Sequence, residues 1–194
     1  GLEADGFFFS ESDIRSTVTH TFATVQPGDI KYVDQNDDFQ ITDEDIVPIG
    51  YSTIPEWYYG FGLSFGWKGF KVSAAFQGVG HLTVNMLNSP LYKPLVSNGN
   101  LSRSFLSKET PWTLENSESA TVPRLTTVSN ANNYRNNSVW YRDGSFLKLR
   151  DVTVSYAFPK RMLKIMTMEF YLKGSDVFSI DSLGIVDPER IGSG

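Results

Sequence analysis

Apolar and polar positions alternate with a period of two from Trp57 to Gly78, WYYGFGLSFGWKGFKVSAAFQG, and that period is the mark of a β-strand. Trp57, Tyr59, Phe61, Leu63, Phe65 and Trp67 fall on one face, and Tyr58, Gly60, Gly62, Ser64 and Gly66 on the other. Lys68-Gly69 predicts a tight turn. On the return strand Phe70, Val72, Ala74 and Phe76 oppose Lys71, Ser73, Ala75 and Gln77. The same alternation returns from Ser145 to Phe158, where Val152, Val154, Tyr156 and Phe158 oppose Asp151, Thr153, Ser155 and Ala157. Pro159-Lys160-Arg161 opens a turn to a less regular fourth strand, Thr167 to Phe178. The fold class this predicts is all-β, built of antiparallel hairpins. The remaining sequence has weaker signals. Ser10-Glu-Ser-Asp13 can cap a short helix, Ser102 to Glu109 can hold another, and Thr17 to Val25 is rich in β-formers. Val79 to Arg142 shows no sustained alternation.

The first hairpin is heavy on the wrong face for a water-soluble sheet, whose outer side normally carries charge. On the first strand its second face is mostly glycine and serine, and aromatic residues stand at both ends of the apolar face. Transmembrane barrel strands need about 9–11 residues and carry aromatic girdles at both interfaces. Trp57 to Trp67 has that length. The pattern alone leaves two readings open: a membrane barrel strand, or the core-facing strand of a soluble β-sandwich.

Composition narrows the choice of function more than of fold. With a net charge of -5, a pI ≈ 5.0 and no basic stripe, nucleic acid is not an expected partner. Absence of cysteine removes disulfides, thiolate metal sites and a cysteine nucleophile. No run of 18 apolar residues occurs. A mean hydropathy of -0.23 remains compatible with a barrel, whose strands dilute apolar residues with polar ones.

Three stretches carry candidate chemistry. Asp34, Asn36 and Asp38 alternate, Ile41 takes the eighth place and Asp45 the twelfth of a calcium-type loop. Side-chain oxygens of Asp34, Asn36, Asp38 and Asp45, the Gln40 carbonyl and Thr42 through water form the expected Ca²⁺ ligand set. Phe39 departs from the motif, since the sixth place normally holds Gly for a sharp turn. Second, Tyr134, Trp140 and Tyr141 lie among Asn130, Asn132, Asn133, Asn136 and Asn137. Aromatic rings beside amides suit substrate binding, sugar in particular; the alternative is that Asn fills turns and the rings pack. Third, Gly62-Leu-Ser64-Phe-Gly66 matches the nucleophile-elbow pattern, but that motif needs a strand-to-helix turn, and here the serine sits inside an alternating strand. No enzyme activity is expected. His20 and His81 are isolated.

The order of several blocks resembles the C-terminal part of the SusC/RagA family of TonB-linked outer-membrane proteins of Bacteroidetes. The blocks are Gly28-Asp-Ile-Lys-Tyr32 leading into Asp34, Asn36 and Asp38; then Asp45 with Pro48-Ile-Gly50; then Phe76-Gln-Gly78. Trp112-Thr113, Glu115-Asn116, Ala120 and Pro123-Arg124 follow, and last comes Asp143-Gly-Ser-Phe-Leu-Lys-Leu-Arg-Asp-Val-Thr-Val-Ser-Tyr156. The resemblance spans residues 4 to 189. It implies a segment of a large outer-membrane β-barrel with long extracellular loops, and a role in energised uptake of glycan or peptide. A SusD-like surface lipoprotein and the TonB system are the implied partners, with outer-membrane lipid around the barrel. The family's last strand and closing aromatic residue are not found before Gly194, so a segment ending ahead of that strand is expected. The division expected within this single region is 1–56 outer loop, 57–78 hairpin, 79–143 long outer loop, 144–178 hairpin and 179–194 tail. Lys68-Gly69 and the turn after Phe158 are then periplasmic, because these barrels keep their short turns on that side. The other reading is a soluble all-β module binding calcium or carbohydrate, and lipid partition separates the two.

Overall fold

The computed structural model describes residues 1–96, 99–159, 166, 168–184, 187 and 189. In chain order its elements are β1 (Ala4–Phe7), α1 (Glu11–Ser16), β2 (Thr19–His20), β3 (Ile30–Tyr32), β4 (Gln40–Ile41), β5 (Trp57–Trp67) and β6 (Phe70–Gly80). They continue with β7 (Thr83–Asn85), α2 (Arg103–Lys108), β8 (Tyr141–Asp143), β9 (Phe146–Ala157) and β10 (Glu169–Asp181). The chain divides into two compact units. Of the described residues, one unit holds those within 1–51 and 83–143 and those from Leu183 on; the other holds those within 52–82 and 144–182. The two segments expected as separate outer loops thus fold together as one body.

The second unit is a four-stranded antiparallel sheet in the order β10-β9-β6-β5. Directly paired residues of antiparallel strands share a face, so the register reads out both faces. Phe65, Val72, Val154 and Leu172 form one row across all four strands, and Trp67, Phe70, Tyr156 and Phe170 the next. Phe61 stacks on Phe76 with ring centroids 4.8 Å apart. On the other face the rows are Ser64, Ser73, Thr153, Lys173 and Gly62, Ala75, Asp151, Ser175. The expected apolar and small-or-polar faces are therefore both present. The apolar one remains open: Phe65 is 70% and Leu172 76% exposed.

Strand ends differ modestly from expectation. β6 runs on to Gly80, and β10 runs from Glu169 to Asp181 rather than from 167 to 178, because cross-strand pairing carries it to Asp181 opposite Phe146. Lys68 and Gly69 both take positive φ, 47° and 91°, as a two-residue turn must to match the strands' twist. The expected turn at Lys160-Arg161 and the start at Thr167 lie outside the described residues, as do Pro188 and 190–194. The chain enters β5, leaves β6, enters β9 and leaves β10 at the same end of the sheet. All the long connections therefore issue from one end.

The first unit has little regular structure: pairs β1-β3, β2-β4 and β7-β8, each only two strands wide. Its apolar core includes Leu2, Phe8, Ile30, Tyr32, Phe105 and Trp140. Both short helices form where expected. Ser10 caps α1 through the Asp13 N–H and Ser102 caps α2 through the Ser104 N–H. The β-rich run Thr17 to Val25 yields only a two-residue strand, because its partner β4 is itself two residues long.

Candidate functional site

Backbone groups buried in so irregular a unit need partners other than ladder bonds, and buried asparagines supply them. Asn130 Oδ1 accepts the N–H groups of Asn132 and Asn133. Asn133 Oδ1 accepts the Ile30 N–H, and Asn132 Nδ2 donates to the Ile30 carbonyl. Asn137 Nδ2 donates to Tyr32 Oη, which itself donates to the Asn132 carbonyl at 2.6 Å. Burial pushes the Tyr32 phenol well above its ordinary range. The asparagines are thus the backbone's substitute for a sheet.

The expected substrate-binding aromatics sit in this network. Trp140 is 1% exposed; its indole N–H donates to the Asn133 carbonyl, and its ring lies 5.9 Å from Tyr134, nearly parallel, and edge-on to Tyr92. That burial corrects the expectation for Trp140: no ring face is left for a sugar, and the residue packs. Tyr134 and Tyr141 are half-buried, and burial raises the Tyr134 phenol pKa. Tyr141 pairs with Asn85 in β7-β8.

Two of the blocks that carry the family resemblance, the one at Gly28-Asp29 and the one from Trp112 to Arg124, meet at one place. Gly28, at φ +86°, has the Trp112 ring against its Cα, with no room for a Cβ. Next to it Asp29 is wholly buried and receives Arg124 Nε at 2.7 Å, Asn133 Nδ2 at 2.9 Å and the Gln26 N–H at 2.8 Å. The Asp29–Arg124 pair was not foreseen as a unit. Its two members stood in separate motifs 95 residues apart, and nothing local links them. His20 is held by Asn132 Oδ1 at 2.8 Å and lies between Phe8 and Tyr32. Its Nε2 is buried without a partner, and burial lowers its pKa.

In the acidic loop, Asp34 accepts the N–H groups of Asp38 and Phe39, and Asp38 accepts that of Gln40. Asn36 reaches Asp38 at 3.3 Å. Asp37 and Phe39 take φ of 60° and 66°. The sharp turn expected to need Gly is therefore made by Phe39, whose ring is 76% exposed. Asp45 is buried and turned to the backbone: it accepts the Gln35 and Thr42 N–H groups, the latter in a capping box with Thr42. Among the described residues no three His, Cys, Asp or Glu side chains are placed to hold a metal ion.

In the sheet, Ser64 stands mid-strand in β5, opposite Ser73, with no helix following. The polar face carries ion pairs Asp151–Lys173 and Arg150–Asp176, each at 2.8 Å. Arg150 sits where both β6-β9 and β9-β10 shift register. Bulges of this kind re-aim a side chain, and here Arg150 reaches Gln77 at 3.0 Å.

No family model matches the chain. It is 29% identical over 166 residues to "TonB-dependent receptor P26" of Formosa agariphila, covering 84% of this chain and 16% of that protein. Among solved structures, the RagAB peptide importer in its "open-open" state matches 97% of this chain and 19% of its own with TM-score 0.63 and 21% identity. The "closed-closed" state matches 100% and 20%, with TM-score 0.64 and 20% identity. The chain thus spans about a sixth to a fifth of the proteins it matches. In sequence it resembles a TonB-dependent receptor, and in fold the corresponding part of RagAB; the SusC/RagA-like reading of its motifs stands, as does the antiparallel all-β fold class.

Proposed function

We propose that this chain is wall and outer-loop structure of a SusC/RagA-like TonB-dependent transporter in the outer membrane, taking up glycan or peptide with a surface lipoprotein and the TonB system. The observation that carries it is the sheet. Its four strands have 11, 11, 12 and 13 residues, long enough to cross the hydrocarbon core. One face is continuously apolar and uncovered. A soluble protein rarely leaves so large an apolar patch open, whereas lipid is its natural solvent. The long connections at one end and a two-residue turn at the other fit the extracellular and periplasmic sides of such barrels. Four strands cannot close a barrel, so the rest of the wall comes from the remaining length of the transporter. This chain adds no cysteine of its own, so in a full-length receptor with any other cysteines replaced, single Leu63→Cys, Ser64→Cys and Phe65→Cys variants can be labelled in cells. Positions 63 and 65 should react with a lipophilic maleimide and position 64 with a water-soluble one. Equal reaction of all three with the water-soluble reagent would favour the soluble module.

A second reading concerns the loop from Asp34 to Asp45, as a weak structural Ca²⁺ site bracing the chain ahead of β5. The left-handed Asp37 and Phe39 support it, since they give this loop the turn that glycine normally provides. Occupancy requires Asp45 to trade its backbone donors for the ion. Affinity on the order of 10⁻⁴–10⁻³ M is expected. Calorimetry should show Ca²⁺-dependent heat that Asp34→Ala abolishes; an unchanged titration would leave only an acidic turn.

A further inference from the structure

A cavity of ≈ 360 Å³ opens in the loop unit, lined by Thr24, Gln26, Arg124, Thr126, Ser129 and Asn130 with two small apolar residues. That volume falls in the range of small-ligand sites. None of its lining side chains is acidic. Its polar groups are mostly donors left over from structural duty. Asn130 is 7% exposed, and its Oδ1 is occupied by two backbone N–H groups; its Nδ2 makes no hydrogen bond in the described structure. Arg124 spends Nε and Nη2 on Asp29, at 2.7 and 3.5 Å, which leaves Nη1 uncommitted. The side chains of Thr24, Gln26 and Ser129 make no intramolecular hydrogen bond either. Thr126 differs, being bound to the Val128 backbone.

Asn130 Nδ2 opens onto the cavity rather than being sealed in the core, so a ligand can accept from it in place of water. A guanidinium, a primary amide and hydroxyl groups facing one small space fit a carboxylate, whose two oxygens accept about four hydrogen bonds. Asp29 is fully buried and offsets the Arg124 charge, so what Arg124 offers the cavity is the N–H donors of Nη1 rather than a free cation. No aromatic ring lines the cavity, so it lacks the stacking surface a neutral sugar would use. We infer that this cavity is a subsite for a carboxylate group of a small molecule, supplied either by the C-terminus of a short peptide or by an acidic sugar. The assignment goes beyond the transport reading and does not depend on it, because binding is measured without energised uptake.

The test is calorimetry on the purified full-length receptor with four probes: trialanine, trialanine C-terminal amide, trigalacturonate and maltotriose. At least one acid should bind while the amide and maltotriose bind at least about tenfold more weakly, as loss of a charge-assisted hydrogen bond predicts. Which acid binds identifies the source of the carboxylate. Asn130→Asp keeps the Oδ1 acceptor that caps the Asn132 and Asn133 N–H groups but replaces the donor by an anion. It should weaken the acid by at least about tenfold, with hydrogen-exchange protection of the loop unit unchanged. Ser129→Asp, on an exposed residue, makes the same electrostatic change should Asn130→Asp disturb folding. Neutral probes binding as well as acids would overturn the assignment. So would both acids binding more weakly than about 10 mM, or unchanged affinity in both variants.

Discussion

The sheet and the loop unit solve burial in opposite ways. In the sheet, backbone groups pair in long regular ladders, and large apolar side chains face outward. In the loop unit, apolar side chains such as Trp140 and Tyr32 face inward, and backbone turns are supplemented by asparagine amides and a buried carboxylate that bond to main-chain groups. On the proposed reading, the difference teaches that the two parts answer to different solvents. A surface that must meet lipid keeps its hydrogen bonds internal to the sheet and puts its apolar groups outside. A surface that meets water can run irregular backbone over a core, provided each buried N–H and C=O finds a side chain.

Trp140→Ala puts this contrast under the greatest strain. Emptying so large a buried site should cost about 3–5 kcal/mol and fall on the loop unit alone. Hydrogen exchange should accelerate across residues 1–51 and 83–143 while β5, β6, β9 and β10 keep their protection. Receptor abundance should fall in step with uptake. If uptake were lost at full abundance, Trp140 would be a substrate contact after all.

Phe61→Arg addresses the other side. An arginine on the lipid face at mid-strand should cost about 2–4 kcal/mol and reduce outer-membrane assembly of the full-length protein. Ser64→Ala, one position away on the opposite face, should be nearly silent. Equal damage from both would end the division into faces.

Acid offers the gentlest probe, again confined to the loop unit. Burial holds the His20 pKa below its ordinary value near 6.5. Asn132 and the charge of Asp29 oppose that shift, and Lys31 adds to it. A depressed folded-state pKa means that the unfolded chain binds the proton first. The His20 contribution is therefore whole above the ordinary value and declines as pH falls below it toward the folded-state pKa. Protection of the loop unit should fall over that window in the wild type, and His20→Gln should flatten the fall without touching the sheet. The same slope in both proteins would place the acid sensitivity elsewhere.

Much of the sheet was legible in the chain itself. A period of two from Trp57 to Phe76 dictates strands, and the Lys68-Gly69 turn sets their pairing; once paired, every side chain's face follows from parity. Phe61 and Phe76 could therefore be placed on one side from spacing alone. The asparagine cluster was visible too, but not its purpose. Whether Trp140 offers its ring to a ligand or buries it depends on what Tyr92, Tyr134 and Asn133 do around it. Likewise Asp29 and Arg124 each look like an ordinary surface charge. Only the fold brings them to 2.7 Å, because contacts between distant segments without periodicity leave no local trace. Local alternation determined the sheet and its two faces. Tertiary packing decided the buried polar network and the cavity beside Asn130, where partners 95 or more residues apart must be brought together before any of them has a role.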